Sequence, residues 1–333
     1  MQVMCARALR YLTATLLQGL CVLAISMAPV NLALASDHAL LVGISNYPKI
    51  GKRLEGPAND LRLMQALMRG MGLPEANIEI LADGLPERSA LPTRANILSA
   101  LDGLAQRAQP GEWAVVYFSG HGTQLPQTAA TRSRYVEPDG MDSAFLPHDV
   151  EHWNPRRKMV VGAIVDDEIG IALRRIAAGG AKVWAIFDTC HAGDMTRGPG
   201  SGPAPAVSRF VAPGELGVPL ARPAMALKAT YGGGATSSRT LGVTVRLESA
   251  AGSTWVASYA AQRDEPALEE SFVDPLHGIE TRRYGVFTYH LFQLAHTKRL
   301  TFAELAQQVR DAYSDRPFPT PYFEGRLLTA LPR

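Results

Sequence analysis

Two residues of this chain sit where a thiol and an imidazole could work together. Cys190 follows the apolar run Val183–Phe187, which breaks at Asp188-Thr189-Cys190-His191-Ala192-Gly193-Asp194. His121 follows a second such run, Trp113–Phe118, through Ser119-Gly120-His121-Gly122. An apolar strand ending in a polar, Gly-containing turn is where an α/β protein places chemistry, because the carboxyl ends of parallel strands open onto a crevice. Two neighbouring strands would then set a nucleophile facing a base. The backbone N–H groups of Gly122 and Cys190 are natural oxyanion donors, since a glycine beside the histidine lets a carbonyl oxygen approach closely. His191 competes as base, but a side chain next to the nucleophile along the chain normally points away from it. His38, His148 and His152 have no comparable setting. Taken singly, a strand-end thiol is more often an inert buried residue, and His121 more often a hydrogen-bonded loop histidine.

The elements needed to position this pair are legible. Ala39–Ile44 is an all-apolar strand expected to be buried on both faces. A helix is expected from about Ala58 to Met71, with Leu61, Met64, Leu67 and Met68 at helical spacing and Gly72 as its stop. Ile78–Leu81 reads as a strand, and Thr93 as the N-cap of a helix reaching about Gln106. Ala144–Leu146 and Val160–Val165 are short apolar pieces. Asp166-Asp167-Glu168 opens a helix to about Ala178, its acids at the positive end of the dipole. A strand at Thr254–Ala260 and helices at Tyr284–Ala295 and Thr301–Tyr313 follow. Strands alternating with helices predict an α/β fold: a central, mostly parallel sheet of about six strands flanked by helices on both faces.

Four segments are expected. Residues 1–35 read as a secretory signal: Arg7 and Arg10, the apolar Tyr11–Ala28, then Ala33-Leu34-Ala35 as a cleavage site. The competing reading of that stretch is an uncleaved anchor. Export to the periplasm or medium, with no membrane attachment after cleavage, is the expectation. Residues 36–196 hold the thiol and the imidazole. Residues 197–250 form a Gly/Pro-rich mobile connection carrying Arg197, Arg209, Arg222, Lys228, Arg239 and Arg246. Residues 251–333 complete the same domain.

Composition narrows the classes. The chain has 333 residues, 47% apolar and 19% charged, with a net charge of +2. That charge and the lack of a long basic run argue against a nucleic-acid partner. There is no zinc spacing, P-loop or dinucleotide fingerprint. Of its three cysteines, Cys5 and Cys21 lie in the expected signal, so a processed chain keeps only Cys190 and no disulfide framework.

Tyr117-Phe118-Ser119-Gly120-His121-Gly122 and Asp188-Thr189-Cys190-His191-Ala192-Gly193 resemble the two catalytic motifs of metacaspases, caspase-like cysteine peptidases of peptidase family C14. The resemblance extends to Ala39–Tyr47, Leu54-Glu55-Gly56-Pro57-Ala58-Asn59-Asp60, Asp139–Pro147, Asp166-Asp167-Glu168, Thr254–Glu265, Tyr284–Leu291 and Thr320–Gly325. It covers most of residues 38–326 and implies the caspase-like fold.

It also implies an activity: peptide bonds cut by a Cys190–His121 dyad, in a monomer that needs no cofactor for the chemistry. The family's acidic pocket matches Asp60, Ser119 and Asp188, which would take an Arg or Lys side chain before the scissile bond. Read alone, those acids would be an ordinary helix-turn and strand-end pair. Calcium activates many relatives, and Asp139, Asp166 and Asp167 match its acids; Arg197 stands where a further acid is common. Adjacent acids at a helix start equally suit the dipole alone. A further expectation is that the enzyme cuts its own basic connection after Arg or Lys, exposed loops being the usual sites of nicking. The alternatives left open are a caspase-fold binding protein with little or no activity, and a separase- or gingipain-like peptidase of other specificity. A serine hydrolase would need a Gly-x-Ser-x-Gly elbow, which is missing.

Overall fold

A computed structural model describes residues 36–85, 90–134, 136–137, 139–190, 206–219, 254–262, 265–296, 299–316 and 319–332. The expected signal segment, His191, and most of the 197–250 connection lie outside the described residues.

Twelve strands and five helices position the site. In chain order they are β1 (His38–Gly43), α1 (Gly56–Gly70), β2 (Ile78–Ala82), α2 (Arg94–Arg107), β3 (Trp113–Gly120), β4 (Gly122–Pro126), β5 (Met141–Phe145), β6 (Ile164–Val165), α3 (Asp166–Ala178), β7 (Lys182–Thr189), β8 (Val207–Ser208), β9 (Trp255–Tyr259), β10 (Leu268–Val273), β11 (Thr281–Gly285), α4 (Val286–Ala295), α5 (Phe302–Ala312) and β12 (Tyr322–Gly325). Six strands form the central sheet in the order β12–β9–β7–β3–β1–β2. All neighbours are parallel except β12, which runs antiparallel to β9. The expected mostly parallel six-stranded sheet is what forms. Among the described residues no helix is long and apolar enough to cross a membrane.

Both faces of the sheet are covered, which is why its central strands β3 and β7 are nearly continuous apolar runs rather than alternating ones. β3 is buried along its whole length. On one face Leu40, Val116 and Ala185 pack with Leu101 and Leu104 of α2 and Leu173 of α3. On the other, Leu41, Val115 and Trp184 pack with Leu61 and Met64 of α1, Phe287 of α4 and Phe302 of α5. Near the carboxyl ends, Phe118, Phe187 and Tyr259 stand opposite one another on three adjacent strands. Their rings stack at 5.6 and 5.2 Å. Each such ring contributes on the order of 2 kcal/mol by burial, and a one-residue slip would turn all three to the wrong face.

Thr93 caps α2 as expected, its side chain accepting from Asn96 N. Thr301 caps α5 in a capping box with Glu304. Three boundaries differ from expectation. The Val160–Val165 stretch is two short strands, because Gly162 turns between them at φ 86°. Tyr284 lies within a strand rather than opening a helix, since β11 pairs with β10 through Gly285. The third concerns the connection expected to be mobile. Residues 206–219 are packed, with Arg209, Val211 and Leu216 fully buried. Gly and Pro content reads local stiffness, and it is blind to the distant edges on which this segment lies.

Candidate active site

His121 and Cys190 come from adjacent parallel strands. β3 and β7 pair through Asp188↔Ser119 and Thr189↔Gly120. The next residues in that register are Cys190 and His121, so the expected pair is brought together. The Cys190 thiol is buried and its Sγ lies 3.6 Å from the Glu265 carbonyl. Gly122 explains why no side chain follows the histidine. A Cβ there would stand 1.9 Å from the Cys190 carbonyl oxygen, so only glycine lets the two strand ends close.

His121 is held by a residue the sequence reading did not single out. Its backbone N–H donates to the Tyr47 hydroxyl at 2.6 Å, and the two rings lie 5.0 Å apart. Tyr47 is itself fully buried and donates to the Ile44 carbonyl at 3.3 Å. Burial lowers the imidazole pKa to about 4, only partly offset by a hydrogen bond to the Arg209 backbone. His121 is therefore neutral at pH 7 in this conformation.

The three residues expected to line an acidic pocket are also brought together. Asp60, Ser119 and Asp188 are each fully buried. Asp60 Oδ1 accepts from Gly285 N at 2.8 Å and Oδ2 from Ser119 Oγ at 2.8 Å. Asp188 Oδ2 accepts from Thr288 N at 3.0 Å and Thr288 Oγ1 at 2.6 Å. Burial raises Asp60 to about 7, and the Asp188 charge adds to the rise.

Inside that pocket lies Arg209, from the connecting segment. Its Nη2 donates to Asp60 Oδ2 at 2.6 Å. Its Nη1 donates to Ser119 Oγ at 3.0 Å and to the Asp188 carbonyl at 2.9 Å, with Asp188 Oδ1 also 3.0 Å away. A third acid, Glu269 of β10, stands 3.6 Å from Nη2.

The backbone around Arg209 is bound as an added strand. Val207 and Ser208 pair antiparallel with Glu269 and Leu268, and Arg209 N donates to the Ala267 carbonyl at 2.9 Å. The Arg209 carbonyl then accepts from Gly122 N at 2.9 Å. Beyond it, Val211 N donates to the Gly122 carbonyl at 3.0 Å, and Thr123 Oγ1 to the Val211 carbonyl at 2.7 Å. The N–H expected to hold an oxyanion is thus on the carbonyl of the arginine whose side chain fills the pocket.

The acids matched to calcium lie apart from this site. Burial raises Asp166 to about 8, and the charges of Asp142, Glu137 and Asp167 add to the rise. Asp167 Oδ2 is buried without a hydrogen-bond partner. Asp139 Oδ1 accepts from Met141 N in its own turn. The acids acting on Asp166 thus include Asp142 and Glu137, which sequence reading passed over.

Glu269 was also missed. Nothing local marks it, and only pairing of β10 with β8 and β11 brings it to the pocket.

Residues 37–199 match the family model described as "Metacaspase, peptidase C14 domain". Metacaspase-1 of Candida albicans is 33% identical over 157 residues, covering 47% of this chain and 33% of that protein. Metacaspase-1 of Eremothecium gossypii is 36% identical over 156 residues, covering 46% and 31%. The chain thus spans about a third of the length of the curated relatives it matches. A solved structure, protein GSU0716 from Geobacter sulfurreducens, superposes with a TM-score of 0.55 at 18% identity, over 87% of this chain and 93% of that one. At that identity the likeness is one of fold. Through residues 37–199 this chain is thus similar to a metacaspase peptidase C14 domain.

Proposed function

We propose that the protein is a cysteine endopeptidase that cuts after basic residues, and that it first cuts itself between Arg209 and Phe210. The observation that carries this is Arg209 itself, with its guanidinium among buried acids and its carbonyl on Gly122 N. A peptide substrate would lie as Val207–Arg209 does, pairing with β10 and presenting its basic side chain to Asp60, Ser119 and Asp188.

The chemistry follows from the groups at hand. The Cys190 sulfur, as thiolate, attacks the carbonyl carbon of the basic residue, and the oxygen takes up negative charge against Gly122 N–H. The tetrahedral adduct collapses, the C–N bond breaks, and protonated His121 gives the leaving amine its proton. Water then adds to the thioester, its proton passing to His121, and the acid is released with the thiol restored. Burial keeps the imidazole neutral in this conformation, so the first cut begins with transfer of the Cys190 proton to His121. With Arg209 in the acidic pocket, the uncut chain is closed to other basic guests.

Calcium is a further part of this reading. Asp142, Asp166 and Asp167 would hold it, since a cation would relieve their mutual repulsion and give the orphaned Asp167 oxygen a partner. Among the described residues no three such side chains stand ready as a metal cluster, so the ion would draw them together. It would supply charge neutralisation only.

The test is hydrolysis of fluorogenic peptides ending in Arg, Lys or Asp, with and without calcium, beside Cys190→Ala. Turnover of the basic peptides that depends on Cys190 is expected. Turnover of the Asp peptide alone would overturn the pocket assignment. No turnover under any condition would overturn the peptidase reading in favour of a binding protein.

A further inference from the structure

The pocket holds one more acid than the resemblance assigns, and its placement is selective. Glu269 is buried, and its two oxygens accept from Glu55 N at 3.2 Å and Gly56 N at 3.0 Å at the start of α1. Its carboxylate is therefore fixed by the backbone rather than free to follow a guest. Gly56 makes this possible: a Cβ there would stand 2.6 Å from Arg209 Nη2 and 2.7 Å from Glu269 Oε2. The wall between the helix start and the guest has been thinned to bare backbone.

The two terminal nitrogens of the guest are read separately. Nη1 is used by Ser119 and the Asp188 carbonyl, whereas Nη2 is used by Asp60 and faces Glu269. Nε is buried with no partner, so recognition is concentrated at the far end of the side chain. A lysine carries one nitrogen, and it falls where arginine has Cζ, one bond short of Nη2. It could reach the acceptors shared around Ser119 and Asp60 but would leave Glu269 beyond contact. A buried acid left without its cation is costly, and the guest that leaves it so is rejected.

We propose that Glu269 is a specificity-determining residue that makes the pocket favour arginine over lysine. This rests on the pocket reading above, though not on proteolysis. It also explains why the chain's own occupant is Arg209.

Two measurements decide it. The first compares kcat/KM for matched Arg and Lys peptides in wild type and Glu269→Gln. The ratio in favour of Arg should fall by about tenfold in the variant, through loss on the Arg peptide. An equal loss on both peptides, or an unchanged ratio, would overturn the proposal while leaving the peptidase intact. The second is a melting cycle on the full chain in a Cys190→Ala background, combining Arg209→Lys with Glu269→Gln. Lys at position 209 should lower Tm by several degrees when Glu269 is present, and by clearly less when it is Gln. Equal losses in the two backgrounds would overturn the proposal. Absence of turnover from every peptide would sink the peptidase reading alone, and the cycle would still decide the role of Glu269.

Discussion

The carbonyl oxygen of Arg209 lies 2.9 Å from the backbone nitrogen of Gly122. In the proposed self-cleavage, that contact sets the scissile bond. With the oxygen on the expected oxyanion donor, the carbon that Cys190 would attack is that of Arg209, and the leaving group would be Phe210. Incubation of the wild-type chain should yield a fragment whose N-terminal sequence begins Phe210-Val211-Ala212, and Cys190→Ala should yield none. Fragments beginning elsewhere, or persisting in Cys190→Ala, would refute the assignment. Gly122→Ala should abolish the cut as well, because its Cβ meets the Cys190 carbonyl oxygen at 1.9 Å. Displacement of a single oxyanion donor typically costs about a hundredfold or more in kcat.

The residues that could be read from the sequence were those whose neighbours along the chain announce them. Cys190 and His121 end apolar runs, and Thr93 precedes a helical pattern. Asp60 and Asp188 were legible only through resemblance. What stayed hidden depends on pairing between distant segments. Arg209 looked like one of several arginines in a Gly/Pro-rich connection, because nothing within a few residues of it reveals the β10 edge or Gly122. Glu269 sits in a strand beside a second glutamate, and which of the two faces inward is set by the register with β11. Tyr47 follows a recognisable strand, yet its contact with His121 spans 74 residues.

That contact makes Tyr47 a positioning residue, and Tyr47→Phe isolates it. The ring, and so the packing against His121, is kept, while His121 N–H loses its acceptor in a buried place. An unpaired buried donor costs about 1–3 kcal/mol. A drop in kcat of roughly tenfold, with KM for an Arg peptide nearly unchanged, is expected, because Tyr47 touches the base rather than the pocket. An unchanged kcat, or a change confined to KM, would remove Tyr47 from the site.

Asp60 gives a pH dependence of definite sign. With Arg209 in place its carboxyl is raised from 3.8 to about 7, and the Arg209 charge is what restrains the rise. Once that arginine leaves, the carboxyl climbs further and is protonated at neutral pH. An incoming basic side chain pulls it back down, so binding releases a proton and strengthens as pH rises. KM for an Arg peptide on the processed enzyme should therefore fall between pH 7 and 9, by at most about tenfold per unit for one proton. A KM that is flat or rises over that range would show that Asp60 does not titrate with guest binding.

Asp166 extends the same reasoning to calcium. Its carboxyl is raised from 3.8 to about 8, by burial first and then by Asp142, Glu137 and Asp167. A raised acid favours the native state while it holds its proton, so stability is greatest at low pH and is lost as pH climbs toward 8. Without calcium, Tm should fall between pH 6 and 9, and Asp166→Asn should flatten that fall because an amide has no proton to lose. With calcium the cation replaces the proton. Binding measured by titration calorimetry should tighten over the same interval, and in Asp166→Asn it should be weakened at every pH. If the wild-type chain takes up no calcium at pH 8, the acids serve only the start of α3 and the metal has no place in this protein's activation.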